Sequence, residues 1–373
     1  MAWPIPLIPE QSLLSPPRYG IWLVVLIVLV MVGTLSAMFI GNITTYGQLL
    51  LYGTLPGLLV WGCLFGTVLN RYEQSLAAVH AWYEETKQTR AQWRRWSRSQ
   101  LAVVGNVLLT PEAAGMGAFL GRLEDIPLYP QKARPLFCAS LSLSVRLHEI
   151  DGELERQFPG YRHHLHTVYV LHDTSLVQHS IRTAVFNQWD MQADHVSSIE
   201  QVPVLQQESE FTGVVLLLCL QHWADSTPKK FSELISAQLI TSPTFAREQV
   251  VSVMSGLGRF MPVTPEKLSG DLNMLFDYNQ LEKEQIQHVW LSGNTDIVED
   301  LARYAETYHW ILPKRQPVHL IDLTFGPPGE LSFGISLAMM VEAVCKTSEN
   351  QLIIGQTSQS SVWLCLVTKE LFS

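Results

Sequence analysis

At 373 residues and a formal net charge of −9, the chain has room for about two domains and lacks the basic excess that binding a nucleic-acid backbone requires. Apolar residues make up 47% of it and charged residues only 16%. The shortage of charge is local, because Glu10 and Arg18 are the only charged side chains in residues 1–70.

Residues 1–18 are Pro-rich and exclude a regular helix. Tyr19 to Ile40 is uncharged and long enough to cross a bilayer as a helix. A second uncharged run, Leu49 to Leu69, contains Pro56 and Gly57, a kink that bilayer helices tolerate. The link between them, GNITTYGQ, is short, so residues 19–70 read as a transmembrane helical hairpin embedded in a lipid bilayer. Arg71, Lys87, Arg90, Arg94, Arg95 and Arg98 follow the second run, whereas the link has no basic residue. The bias of basic residues toward the cytoplasmic side then predicts a multi-pass protein of the inner membrane with its C-terminal domain in the cytoplasm.

Residues 71–99 have helical periodicity, with Tyr72, Leu76, Val79 and Tyr83 on one face. Trp93, Arg94, Arg95 and Trp96 follow, a mixture of aromatic and basic groups suited to a headgroup interface. The segment reads as a juxtamembrane helix, with a solvated stalk as the alternative.

From residue 100 to 373 the pattern becomes α/β. QLAVVGNVLLTP, RPLFCASLSLSV (134–145), HLHTVYVLHD (164–173), FTGVVLLLCLQHW and SELISAQLITS read as strands. Leu176, Ile181, Val185 and Trp189 line one face of a helix between the third and fourth. The final unit starts at Ile286: strand, loop and helix in IQHVWLSGNTDIVEDLA, then the strand VHLIDLT, a Gly/Pro loop and an apolar helix, then two strands that could pair as a hairpin. The halves of this domain fall at roughly 100–258 and 259–373.

Cys63, Cys138, Cys219, Cys345 and Cys365 show no CxxC spacing, and buried free thiols in a reducing compartment are expected. His163, His164 and His166 form the one dense histidine cluster, and on a strand the last two would share a face. No carboxylate or cysteine stands nearby to complete a metal site, so none is expected. Phosphate-loop, dinucleotide, GxSxG and HExxH motifs are all missing, so no cofactor is expected either.

The loop Phe325-Gly326-Pro327-Pro328-Gly329 leads into a helix from Leu331 to Cys345, kept slim by Ser332, Gly334, Ser336 and Ala338. A helix apolar on every side must be buried on every side, and Gly326, Gly329 and Gly334 are candidate structural glycines there. WLSGNTDIVEDLA followed by LTFGPPGELSFGISLA resembles the C-terminal half of thiolase-like condensing enzymes. The resemblance implies a layered thiolase-like α/β domain. It places Ser292 and Pro327 where the family carries histidines and Asp322 where it carries a lysine. The family nucleophile is a cysteine opening a central helix of the first half, yet no cysteine occurs between Gly152 and Val214. Ser292, Asp322 and Pro327 are therefore expected to be degenerate active-site positions of a pseudoenzyme.

A more specific resemblance, carried by RPLFCASLSL, GVVLLLCLQHW and LTFGPPGELSFG, is to the type VI secretion lipase adapter family. It implies a membrane-anchored, non-enzymatic adapter or chaperone-like protein that binds a lipase effector and couples it to the VgrG-type spike. Trp189, Trp223 and Trp310 would be binding anchors if exposed, and core residues otherwise. The alternatives are a membrane-tethered thiolase-like acyl-transfer or condensing enzyme, or a structural subunit of a membrane complex.

Overall fold

The computed structural model describes residues 2–43, 45–129, 132–137, 141–172, 176, 178–206, 211–223, 230–293, 296–313, 316–327, 329–356 and 361–372. The chain divides into two compact units, Pro6–Gln92 and the combination of Met1–Ile5 with Trp93–Ser373.

In the first unit, α1 (Tyr19–Phe39) packs against a second helical run. That run starts at Tyr46–Leu49, passes through one π turn at Leu50–Thr54 and continues as α2 (Leu55–Arg98). The irregularity falls just before Pro56, whose missing N–H and bulky ring disturb the preceding turn. Small residues bring the helices together: a Cβ on Gly53 would stand 3.0 Å from Thr34 Cα, and one on Gly57 would stand 2.8 Å from the Leu29 carbonyl. Trp61 Nε1 donates to the Trp22 carbonyl at 2.7 Å, and its ring stacks on Phe65. Ile21, Val24, Ile27, Met31 and Val32 remain about half exposed along α1. Both helices are long and apolar enough to cross a membrane.

The second unit is built on a mixed sheet. Its strands are β1 (Leu101–Leu109), β2 (Leu165–His172), β3 (Ala193–His195), β4 (Val214–Gln221), β5 (Leu234–Thr241) and β6 (Ser255–Leu257). There follow β7 (Met261–Val263), β8 (Ile286–Ser292), β9 (His319–Leu320), β10 (Asn350–Gln356) and β11 (Val362–Thr368). The order is β3-β2-β4-β5-β1-β6-β11-β10-β8-β9, with β7 paired to β11. The two halves repeat one pattern. In the first, β2 is parallel to β3 and β4, β4 is antiparallel to β5, and β5 to β1. In the second, β8 is parallel to β9 and β10, β10 is antiparallel to β11, and β11 to β6 and β7. The antiparallel β1–β6 pair joins the halves.

Helices cover the sheet. α3 (Leu143–Gln157) and α4 (Gln178–Trp189) bury Leu147, Ile150, Ile181 and Val185 in one core. α5 (Leu268–Asn279) and α6 (Ile297–Thr307) bury Leu272, Leu275, Leu301 and Tyr304 in another. A third core surrounds α7 (Ser332–Thr347), which reaches both halves. Its Ala338 carbonyl accepts from Asn106 Nδ2 of β1 at 3.0 Å, Gly334 abuts Cys219 of β4, and Phe333 fills the space beside Gly355 of β10. This burial on every side is what its sequence predicts. Likewise, β4 and β5 are buried at every position; β4 is accordingly apolar almost throughout, whereas β5 carries buried Ser236 and Gln238.

Two expected strands are corrected. In RPLFCASLSLSV the described residues 134–137 and 141–145 are not strand: Arg134 N donates to Ser232 Oγ and Leu136 N to Glu233 Oε2, so side chains take the place of a ladder there, and α3 begins at Leu143. VHLIDLT pairs only at His319–Leu320 and then turns into the short helix Ile321–Phe325. His163 and His164 lie in the 3-10 turn Tyr161–His164 rather than on a strand, and the His164 ring stacks on Phe158. Among the described residues no group of three or more potential metal ligands forms.

Candidate functional site

Ser292 closes β8 and is 1% exposed. Alternation along the strand puts His288, Trp290 and Ser292 on one face and Val289 and Leu291 on the other. Asp322 lies in the first turn of Ile321–Phe325. Ser292 Oγ donates to Asp322 Oδ1 at 3.2 Å, and Gly293 N donates to Asp322 Oδ2 at 2.7 Å. Gly293 has φ +94°, and a Cβ there would press on Gln356. Burial pushes the Asp322 carboxyl up to about 6, against the pull of the Gly293 N–H and the Ser292 hydroxyl. Two positions singled out from sequence are thus brought into contact. Pro327 is engaged elsewhere, its carbonyl accepting from Ser232 N.

The loop glycines answer to crowding. Gly326 has φ +91°, and a Cβ there would collide with Ser232 Oγ and the Lys132 carbonyl. A Cβ on Gly329 would occupy the place of the Gln221 amide, and one on Gly334 would stand 3.0 Å from both Cys219 Sγ and Ile199 Cδ1. The loop holds the ends of β4 and β5 against α7.

The internal repeat locates where a first-half counterpart of α7 would stand, between β3 and β4. Among the described residues of 196–213 there are two 3-10 turns, Ile199–Gln201 and Pro203–Gln206, and the sequence of the segment contains no cysteine. Ile199, Val202, Val204 and Leu205 pack into the core around α7. Cys219 and Cys365 are buried, which pushes the Cys219 thiol up to about 12 and the Cys365 thiol up as well. Neither is a poised thiolate. Cys138 lies outside the described residues.

A second constellation lies on the same face of β8 and was not foreseen. His288 Nε2 is 3.2 Å from Glu349 Oε2, and His288 Nδ1 is 3.0 Å from His319 Nε2. The His319 ring stacks on Trp290 at 4.1 Å, and Trp290 Nε1 donates to Gln351 Oε1 at 2.7 Å. Burial lowers the proton affinity of both imidazoles, that of His319 to about 4. The pattern HVW in β8 was a local signal for half of this cluster. His319 stands 31 residues away and joins only through the β8–β9 register.

No family model matches the chain, and no curated protein matches it. Among solved structures it is similar to a chain of AntDE:AntF, a type II polyketide synthase acyl-carrier protein in complex with its ketosynthase bound to the hexaketide. The TM-score is 0.55 at 11% identity, covering 73% of this chain and 100% of that one. It is also similar to the ketosynthase from module 1 of the bacillaene synthase of Bacillus amyloliquefaciens FZB42. There the TM-score is 0.52 at 10% identity, covering 74% of this chain and 77% of that one. The fold is thiolase-like, of the ketosynthase type. At these identities the likeness speaks for the fold alone.

The remaining sequence candidates fall around this ketosynthase-like unit. Trp93 and Trp96 are partly buried, and both pack on the core beneath α5 and α6. Trp96 meets Trp3 and Trp93 edge-on at 5.3 Å, and Arg259 lies 4.5 Å over its ring. Arg94 faces Asp277 at 3.8 Å, whereas Arg95 is exposed. The aromatic-basic composition was legible, but the partners that capture it come from residues 3, 259 and 277. Trp189, Trp223 and Trp310 are 5%, 8% and 3% exposed and serve as core. Cys63 and Cys345 are free and exposed, a correction to the expectation of uniformly buried thiols.

Proposed function

We propose that this chain is a membrane-anchored, non-catalytic thiolase-fold protein that works by binding partners. The observation that carries this reading is the segment between β3 and β4. It offers 3-10 turns without a cysteine where the repeat calls for a helix opening on a nucleophile. The sealed Ser292–Asp322 pair supports it, since neither group supplies the imidazole or ammonium that thiolase chemistry draws on. Following the family resemblance, the partners are a lipase effector and a VgrG-type spike, and the protein is an adapter that couples the two. The helices of the first unit anchor it as a hairpin in the inner membrane, with both chain ends in the cytoplasm.

Three measurements test this. Affinity purification of the full chain from its native membrane should recover a lipase and a spike protein. Recovery of membrane partners alone would favour a structural subunit. A reporter fused after Ser373 should behave as cytoplasmic, and periplasmic activity would overturn the topology. Incubation with octanoyl-CoA followed by intact-mass analysis should give no acyl adduct. An adduct on a cysteine would establish the second reading, a membrane-tethered condensing enzyme, which the likeness of the fold to solved ketosynthases favours.

A further inference from the structure

Asn273 and Phe276 lie one turn apart on α5, and Tyr304 and the C-cap Tyr308 lie one turn apart at the end of α6. Such spacings put each pair on one face of its helix. Tyr304 OH donates to Asn273 Oδ1 at 2.8 Å, and Asn273 Nδ2 donates to Tyr308 OH at 3.0 Å. One amide therefore fixes both phenols, and the two tyrosine rings stand 4.6 Å apart. Lys283 opens the 3-10 turn Lys283–Gln285 that follows α5. Its ammonium rests over three rings, 4.3 Å from the centroid of Tyr308, 5.2 Å from Tyr304 and 6.0 Å from Phe276.

The Lys283 Nζ marks the point where these ring faces hold positive charge. Solvent reaches it, because the Lys283 side chain is only partly buried and Tyr308 is 41% exposed. Tyr304 and Phe276, 1% and 6% exposed, form the floor beneath it. The described residues give the ammonium neither a carboxylate partner nor a hydrogen-bond acceptor. A primary ammonium is strongly hydrated and surrenders N–H bonds to water when it settles on rings alone. A trimethylammonium group has no N–H to satisfy and spreads its charge over methyls that touch the rings, so it suits the same place better. The surroundings favour a cation too. Between Lys267 and Arg303 the sequence has seven aspartates and glutamates and no lysine or arginine but Lys283.

We propose that Phe276, Tyr304 and Tyr308 form a binding site for a trimethylammonium group and that Lys283 is its built-in competitor, which swings out as the ligand enters. Withdrawal of Lys283 breaks no ion pair among the described residues, and the flanking Glu282 and Glu284 are exposed, so the turn leaves the side chain room to move. The same chemistry is offered by a free compound such as choline and by the headgroup of phosphatidylcholine. The proposal is independent of the partner-binding reading.

The test is calorimetric titration of the full chain in maltoside micelles, which carry no ammonium group. The probes are choline and 3,3-dimethyl-1-butanol, which has the same shape and no charge. Lys283→Ser should bind choline at least tenfold more tightly than the parent does, and at least tenfold more tightly than it binds the neutral analogue. Adding Tyr308→Leu, which keeps apolar bulk without a ring face, should abolish that preference. Should the serine variant not fold, Lys283→Gln gives the same reading. Titration in phosphatidylglycerol and phosphatidylcholine nanodiscs separates the sources. Choline affinity that falls only in phosphatidylcholine identifies the headgroup as the ligand, and equal affinity identifies a free compound. Equal binding of choline and its neutral analogue by the Lys283 variant, or parent and variant binding choline equally, would overturn the proposal.

Discussion

Asp322→Asn probes whether the Ser292–Asp322 pair holds a shape or serves a reaction. The carboxyl is raised from 3.8 to about 6 by burial. At roughly 1.4 kcal/mol per unit, keeping it ionised in the folded protein costs about 3 kcal/mol at pH 7.5. The sign follows from proton counting. Between the unfolded and folded values the folded state binds more protons, so this group makes stability fall as pH rises through that window and levels off above it. Asparagine keeps an acceptor for Gly293 N and offers its amide to Ser292 Oγ, so the bonds survive while the charge goes. Allowing for imperfect geometry, the variant should gain about 1–2 kcal/mol at pH 7.5, or roughly 2–6 °C in melting temperature for a unit of this size. Because the geometric cost does not titrate, the difference between variant and parent should disappear near pH 5, and near pH 3.5 the variant should be the less stable by about 1–2 kcal/mol. Differential scanning fluorimetry of the detergent-solubilised chain across that range reads it directly, because titrations common to both proteins cancel. A variant less stable than the parent at pH 7.5, or a difference independent of pH, would refute the reasoning.

Other consequences are simpler to read. Gly326→Ala places a methyl against Ser232 Oγ and the Lys132 carbonyl at φ +91°, and should lower the melting temperature by at least about 4 °C, equivalent to about 2 kcal/mol or more. An unchanged melting temperature would mean the loop is not held between β4 and α7 as described. A membrane-impermeant maleimide should label Cys345 in inverted membrane vesicles, whose cytoplasmic face is outward, while Cys219 and Cys365 stay unmodified until the chain is unfolded. Cys63, exposed within the apolar part of α2, should label only after detergent extraction. Prompt labelling in intact membranes would place that helix outside the bilayer.

What could be read from the sequence follows the range of the physics involved. Apolar runs such as VVLLLCLQ and the slim helix after FGPPG announce their burial locally, because every residue carries the signal. Ser292 and Asp322 were singled out from order along the chain, and the β8–β9 register does bring them together. RPLFCASLSLSV has strand composition, but the acceptors that satisfy its Arg134 and Leu136 N–H groups, Ser232 Oγ and Glu233 Oε2, lie nearly 100 residues away. Trp93 and Trp96 look interfacial for the same reason, since Trp3 and Arg259 are what claim Trp96. The relay of Glu349, His288 and His319 spans three strand ends and has no short-range signature.

The repeat explains how the fold can keep its shape while the segment between β3 and β4 differs from its counterpart in the second half. Both halves make their sheet pairings, and the apolar side chains of Ile199, Val202, Val204 and Leu205 from the described part of this segment fill the core around α7. A nucleophilic thiol asks for more: a helix N-terminus whose aligned N–H groups stabilise the thiolate. A 3-10 turn of three or four residues supplies little of that field, so restoring the side chains alone should not restore reactivity. The variant that tests this combines Ser292→His and Asp322→Lys with Ser198→Cys, which caps the turn Ile199–Gln201 and is 6% exposed. With octanoyl-CoA it should form no acyl adduct, provided its melting temperature shows it folded. Should it unfold, Ser198→Cys alone gives the same reading. An adduct on the introduced thiol would mean that the turns suffice to activate a nucleophile.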